Sequence, residues 1–486
     1  MQFDNTYARL PDRFFARVKP ATARAPRLLK VNRALAEMLG VDAAELTAEV
    51  LTGNAIPEGA EPIALAYAGH QFGSFVHQLG DGRAILLGEV VGTDGKRRDV
   101  QLKGAGRTPF SRGGDGRAAL GPVLREYVVS EAMAALGIPT TRALAAATTG
   151  EIVARERPLP GAVFTRVASS HLRVGTFEFF AARDDVDGLR TLATYALERH
   201  YPDAKGSGND AIALLERVLG AQASLVAKWM GVGFIHGVMN TDNTSISGET
   251  IDYGPCAFLD EYEPRKRFSS IDHGGRYAFA NQPKIALWNL MRLAETLLPL
   301  FADDEDTAVK IAQQRLERFA AIFEAAQLAV WRAKLGLGAK ADEDGGDAVL
   351  AQDLLGRMAD AEVDWTRFFR ALASSAEDAS ADAATAEHFA SPGAFHDWAL
   401  AWRARLARED VAPKVRADAM RLANPAYIPR NHRVEEMIAS AEQGELGPFE
   451  TLLDVVTHPW EERPEHARFA EAPAPDERVR ATFCGT

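Results

Sequence analysis

The chain has 486 residues, 47% apolar and 25% charged, an ordinary globular composition with length for two or three domains. Its formal charge of -12 argues against nucleic-acid binding, because phosphate contacts need a basic surface. No stretch approaches the roughly 20 apolar residues that span a bilayer, and the N-terminus carries no secretory signal, so a cytoplasmic protein without a membrane partner is expected.

The first strong signals are strands between residues 60 and 105. "RAILLGEVV" (83–91) and "RRDVQLKG" (97–104) flank Gly92-Thr93-Asp94-Gly95, a hairpin turn. "GPVLREYVVSEAMAALGIP" (121–139) predicts a helix, with Pro122 in its first turn and Gly137 at its C-terminal cap. Strands return at 150–156 and 161–168. After about residue 185 the period changes to helical, in 189–201, 211–233 and 284–301. Thr307 to Leu335 reads as one long helix. Residues 338–348 read as an exposed Gly- and acid-rich loop, and the remainder is helical in tendency with Pro-rich turns near its end.

Several pieces look built to handle phosphate. Gly80-x-Gly82 leads into a strand and is followed by Arg83; glycines let backbone N–H groups approach phosphate oxygens. Lys103 ends the second strand, where a kinase places the Lys that pairs with phosphates and with a Glu of the next helix. That helix offers Glu126 and Glu131 on different faces, and Glu126, nearer its start, is the expected partner. The Gly/Arg run "GAGRTPFSRGGDGRAALG" cannot form a core and suits an anion-binding loop. Arg166 and Arg173 are spaced by seven, which shares a face on a helix but is equally compatible with a turn through Ser169-Ser170-His171.

The most specific stretch is "HGVMNTDNTSISGETIDYGP" (236–255). Protein kinases carry H-x-D, an Asn, then D-F-G at such a place. Here the sequence keeps His236, Asn243 and Asp252-Tyr253-Gly254, but Val238 replaces the catalytic Asp. Asn243 and Asp252 are hard oxygen donors suited to Mg²⁺. "TSISGETI" between them reads as two short strands around a Ser-Gly turn. Asp242 is the nearest carboxylate to the missing position. In an extended loop it would point away from Asn243 and toward an acceptor hydroxyl. These parts, in this order, predict an α+β, protein-kinase-like two-lobe fold. Its N-terminal lobe is strand-rich (1–170), its C-terminal lobe helical (171–300), and a helical C-terminal extension follows (301–486).

The sequence closely resembles the SelO family of protein adenylyltransferases, also called YdiU, over nearly its whole length. The motifs that carry this are "YAGHQFG" (67–73), "QLGDGRAILLGE" (78–89), "QLKGAGRTPFSRGGDGRAAL" (101–120), residues 236–255, "GRYAFANQP" (275–283) and "NPAYIPRNH" (424–432). The resemblance implies a pseudokinase fold that binds ATP in a flipped orientation. It implies transfer of AMP, or of UMP from UTP, to Ser, Thr or Tyr hydroxyls of proteins. It implies a nucleotide site of Gly80, Gly82, Arg83, Lys103, Asp115, Gly116, Arg166, Arg173 and Asp252. Asn243 and Asp252 would hold Mg²⁺ or Mn²⁺, with Asp242 as proton acceptor. Some family members pair a C-terminal Cys with one near the activation segment, which raises a Cys256–Cys484 disulfide as a possibility. A small-molecule kinase would need the carboxylate that Val238 replaces, and a nucleotide-binding scaffold would not need both metal ligands.

Overall fold

The computed structural model describes residues 1–339, 342 and 345–483. Its first third is an antiparallel sheet. The strands are β1 (Phe15–Arg17), β2 (Arg27–Val31), β3 (Ile63–Leu65), β6 (Ala84–Val91), β7 (Arg97–Lys103), β9 (Arg142–Ala154) and β10 (Pro158–Ala168), in the spatial order β1-β3-β6-β7-β10-β9-β2. The short β8 (Ala118–Ala119) pairs with β10 off that path, and β4 (Gly69–Gln71) and β5 (Ser74–Val76) form a separate hairpin. The expected β6–β7 hairpin is present: Ala84 faces Lys103, and the Gly95 N–H donates to the Gly92 carbonyl at 2.9 Å. β9 begins eight residues before the strand expected at 150–156. Its first six residues, "RALAAA", hold no β-branched or aromatic residue and four alanines, so they lack the composition that marks a strand.

Two short helices, α1 (Arg33–Met38) and α2 (Ala48–Thr52), cover one face of the sheet and share an apolar core with β6, β7 and β10. The predicted helix at 121–139 is α3 (Leu120–Ala135); the chain then turns at Gly137, whose φ of 72° suits glycine. Nearly all of α3 is buried, charged residues included. The sheet lies against one side of it and the C-terminal helices against the other.

The helical region opens with α4 (Val174–Ala181), α5 (Val186–His200) and α6 (Asp210–Gly231). It continues past the two-stranded β11 (Phe234–Ile235) and β12 (Ala257–Phe258) into α7 (Gln282–Phe301). The helix expected over 307–335 is two helices, α8 (Glu305–Leu316) and α9 (Phe319–Leu335), broken at Glu317-Arg318. Neither Gly nor Pro marks that break, so periodicity alone ran across it. The expected hairpin within 244–251 is absent too. Ser245 bridges to Arg173 and Thr250 to Thr140, so the segment's extended residues pair with distant chain rather than with each other.

Beyond α9 the extension comprises α10 (Gly346–Asp360), α11 (Trp365–Glu377), α12 (Asp382–Ala386), α13 (Pro392–Leu406), α14 (Pro413–Arg421), α15 (Asn431–Glu442) and α16 (Gly447–Thr457). Residues 340, 341, 343 and 344 of the loop expected at 338–348 lie outside the described residues. Trp331, Trp365 and Phe369 join the extension to the core of the preceding helices. Val434, Met437, Phe449 and Leu452 pack on Leu124, Tyr127 and Val128 of α3. Among the described residues no helix is long and apolar enough to cross a membrane.

Candidate active site

Asp252 lies where the sheet meets the helices, in the left-handed region at φ 61°. Such backbone strain costs of order 1–3 kcal/mol and collects at functional sites. Three cations close on its carboxylate. Lys103 Nζ, from the end of β7, and Arg166 Nη1, from β10, both donate to Oδ1 at 2.6 Å; Arg173 Nη1, at the start of α4, donates to Oδ2 at 2.8 Å. Lys103 also donates to Glu126 of α3 at 2.6 Å, the partner expected from the sequence. Glu131 points elsewhere, to Arg142, Asn32 and the Ala143 N–H. Burial would raise the Asp252 pKa, but Arg166, Lys103 and Arg173 outweigh it and hold the carboxyl well below its usual range.

Arg166 and Arg173 do not share a helix. One is a strand residue and the other caps α4, and the loop between them folds both inward. Each is almost wholly buried. Gln101 accepts from Arg166 Nε at 2.7 Å, and Arg173 lies with its guanidinium carbon 4.6 Å from the centre of the Tyr67 ring. A buried guanidinium needs such partners.

The turn carrying Asp242 and Asn243 is a 3-10 turn, Thr241–Asn243, not the extended loop expected. Arg173 Nη1 donates to the Asp242 carbonyl at 2.7 Å, so one guanidinium joins the Asp252 and Asp242 segments. Asp242 is buried, and burial pushes its pKa up to about 6, against the pull of Arg173 and of a hydrogen bond from Gln71. Its Oδ2 accepts from Gln71 Nε2 at 3.3 Å, while its buried Oδ1 has no hydrogen-bond partner among the described residues. A buried carboxylate oxygen left open is costly unless something arrives to meet it. Asn243 donates from Nδ2 to the Val238 carbonyl at 3.0 Å, which leaves its amide oxygen as a donor atom for a metal. His236 is buried. Its Nε2 lies 3.0 Å from the Ile251 carbonyl, so Nε2 carries the proton, and burial lowers its pKa and keeps it neutral. It ties the turn to the Asp252 segment.

The family model described as protein adenylyltransferase SelO matches residues 1–457. The chain belongs to the SelO family. Relatives named protein nucleotidyltransferase YdiU include one from Nitrobacter hamburgensis, 59% identical over 490 residues, covering 100% of this chain and 96% of the relative. Others come from Bradyrhizobium sp. (strain ORS 278), 60% identical over 489 residues, and Rhodopseudomonas palustris (strain BisB5), 60% over 490 residues, each covering 100% of this chain and 99% of the relative. The chain is thus an enzyme, a nucleotidyltransferase of the SelO family.

The remaining residues expected from the SelO resemblance are more dispersed. Arg83 has no ion-pair partner among the described residues and lines a small cavity with Lys103, Glu126, Tyr253 and Phe483. Gly80, at φ 81°, and Gly82 lie under Phe110: an added Cβ would meet its ring at 2.3 Å and its carbonyl at 3.0 Å respectively. The visible reason for both glycines is the packing of the 104–117 loop. Asp115 is apart from the Asp252 cluster, paired with Arg155 at 2.8 Å. At Gly116 an added Cβ would strike the Gly106 backbone at 2.2 Å. Cys256 is buried; Cys484 lies outside the described residues, and Thr482, two residues before it, donates to the Pro255 carbonyl at 2.6 Å.

Sequence reasoning missed Asp81, the middle of Gly80-Asp81-Gly82. It is buried, accepts from Gln101 at 3.0 Å and sits 3.7 Å from Arg173. Burial pushes its pKa up to about 6. It also missed Gln71 and Glu178; the latter accepts from Thr241 and faces His70. An acid between two glycines is the one signal in the sequence that could have pointed to Asp81.

Proposed function

We propose that this chain transfers AMP from ATP, or UMP from UTP, to Ser, Thr or Tyr hydroxyls of proteins. The observation that carries this is the closure of Lys103, Arg166 and Arg173 on Asp252, beside the open oxygen of Asp242. A cation set of this density suits a polyanion. The chain divides into a kinase-like strand-rich lobe (1–170), a helical lobe (171–300) and a helical extension (301–486), with the nucleotide between the lobes and the protein in the cytoplasm.

In this reading the nucleotide enters reversed. Lys103, Arg166 and Arg173 would hold the β- and γ-phosphates, with Arg83 and the Gly80–Gly82 and Asp115–Gly116 turns completing the nucleotide site. Asp242 Oδ1 takes the proton of the acceptor hydroxyl as its oxygen attacks the α-phosphorus. The bond between the α-phosphorus and its bridging oxygen breaks, and pyrophosphate leaves with charge neutralised by the cations. The donor set fits a divalent ion: Asp252 is held ionised and the Asn243 amide oxygen makes no hydrogen bond among the described residues, so these two would hold Mg²⁺ or Mn²⁺. When bound, the ion screens the negative charge of the leaving group. A phosphotransferase would need its base where Val238 presents a buried valine.

The test uses ATP labelled on the α- or the γ-phosphate, with Mg²⁺ or Mn²⁺. Label should reach protein from the α position only. Transfer from the γ position alone overturns the reading.

A further inference from the structure

Arg183, Arg276 and Arg292 cluster around the β4–β5 hairpin and Trp288, with Lys284 further along α7, in a chain whose net charge is -12. Arg276 lies with its guanidinium carbon 4.6 Å from the centre of the Trp288 ring and near the hairpin tip, where a Cβ on Gly73 would be 3.5 Å from it. Arg292 approaches the same indole at 4.9 Å. Lys284, Trp288 and Arg292 recur every four residues along α7 and so share one face. Arg183 packs on Phe179 at 3.6 Å and donates to the His77 carbonyl.

These charges are largely uncommitted. Among the described residues, Arg183, Arg276 and Lys284 have no carboxylate within ion-pair distance, and Arg292 has only Glu295, itself half exposed. Such a surface pair is weak and readily exchanged. The nearby buried acids are occupied: Glu178 by Thr241 and His70, Asp272 by the N–H groups of Arg276 and Tyr277.

The cluster reaches the candidate base within one residue. The His70 ring meets Trp288 edge-on at 5.2 Å, the His70 backbone N–H donates to the Thr241 hydroxyl, and the next side chain, Gln71, donates to Asp242. The Phe72 N–H then donates to Asn240. Trp288 is thereby linked to Asp242 through the His70-Gln71 segment.

We propose that Arg276, Trp288 and Arg292 form a platform that docks an acidic segment of the acceptor protein beside the hydroxyl to be modified. Arginines stacked on an indole are pre-ordered to take carboxylates, and Trp with Arg is the usual chemistry of binding hot spots. The inference rests on the transfer reading above and adds its acceptor class.

The test is fluorescence anisotropy, without nucleotide, of two fluorescein-labelled peptides with a central Tyr flanked by Glu or by Gln. The wild-type chain should bind the Glu peptide ~10-fold tighter, a preference that added salt weakens. The Arg276→Glu/Arg292→Glu variant should lose the preference. Equal binding by the wild type, or a preference that survives the double change, overturns the proposal; so does displacement of the Glu peptide by an equal concentration of oligouridylate. An unchanged thermal shift with ATP reports that the variant is folded, and Arg276→Gln serves if it is not. Absence of α-label transfer to any protein by the wild type would fail the transfer reading; transfer without acidic preference would fail only this one.

Discussion

Lys103, Arg166 and Arg173 compete for one carboxylate, which makes Asp252 structural and chemical at once. Asp252→Ala takes from three cations their shared carboxylate, leaving Lys103 and Arg166 only Glu126 and Arg173 only the more distant Asp81, and removing one partner from a buried ion network costs about 3–5 kcal/mol. We expect a clear drop in melting temperature and no AMP transfer. Inorganic tripolyphosphate with EDTA should raise the melting temperature of Asp252→Ala more than that of the wild type, since it resupplies the lost charge. A smaller shift in the variant would show that the three cations are not the polyanion site. At this scale the sequence was partly legible. The interval from Lys103 to Glu126 is set by one strand end and one helix start, so it could be counted. The convergence of Arg166 with Arg173 could not, because it depends on a loop path and on Asp252 far along the chain. Asp81 was hidden because its burial comes from β3 and β7, not from its neighbours in sequence.

Helix α3 carries two acids with different work. Glu126 meets Lys103 at the cleft; Glu131 holds Arg142 and the start of β9. Glu131→Ala should therefore lower stability by about 3–5 kcal/mol, seen as a lower urea midpoint. Glu126→Gln should reduce transfer while changing the midpoint far less. The β4–β5 hairpin makes a sharper case. A Cβ on Gly69 would lie 3.1 Å from both Cβ and Oδ1 of Asp242. Gly69→Ala should lower kcat about tenfold or more through misplacement of that oxygen, with the thermal shift by ATP retained. Loss of the ATP shift would place the defect in folding instead. The segment 244–251 shows why elements can be misread: its Ser, Thr and Ile alternate like a strand, but its pairing partners are Arg173 and Thr140. Helix positions along α6 and α7 were readable because their apolar period is local.

For the whole molecule, α15 and α16 seal α3. A chain truncated after residue 423 would expose Leu124, Tyr127 and Val128 and lose their burial, worth roughly 1.5–3 kcal/mol for each large side chain. We expect it to be insoluble, and soluble, active protein from that truncation would refute a sealing role. The sheet is also fastened to α5 through Asp99, which accepts from Arg199 at 2.5 Å and faces His171 Nδ1 at 3.0 Å. Burial pushes the His171 pKa down to about 4, although the Asp99 hydrogen bond opposes this. The folded state thus binds fewer protons at this ring than the unfolded chain, whose pKa is near 6.5. Its contribution is full above about pH 6.5 and falls away toward pH 4, by up to about 3 kcal/mol. Urea midpoints across that window should decline for the wild type and less steeply for His171→Gln. Sequence alone could not foresee this coupling, since it joins β7, α5 and the loop before α4.

Val238 serves the site through its backbone. Its side chain is buried, yet its contribution to the site is a carbonyl, which receives the Asn243 amide. Every amino acid possesses that carbonyl. The side chain at 238 can therefore change without disturbing the posture of the asparagine five residues on. Saturation of position 238 should consequently tolerate Ile, Leu or Cys and reject Asp, the very residue a repair of the kinase motif would install, because the pocket that now shelters valine has no welcome for a charge.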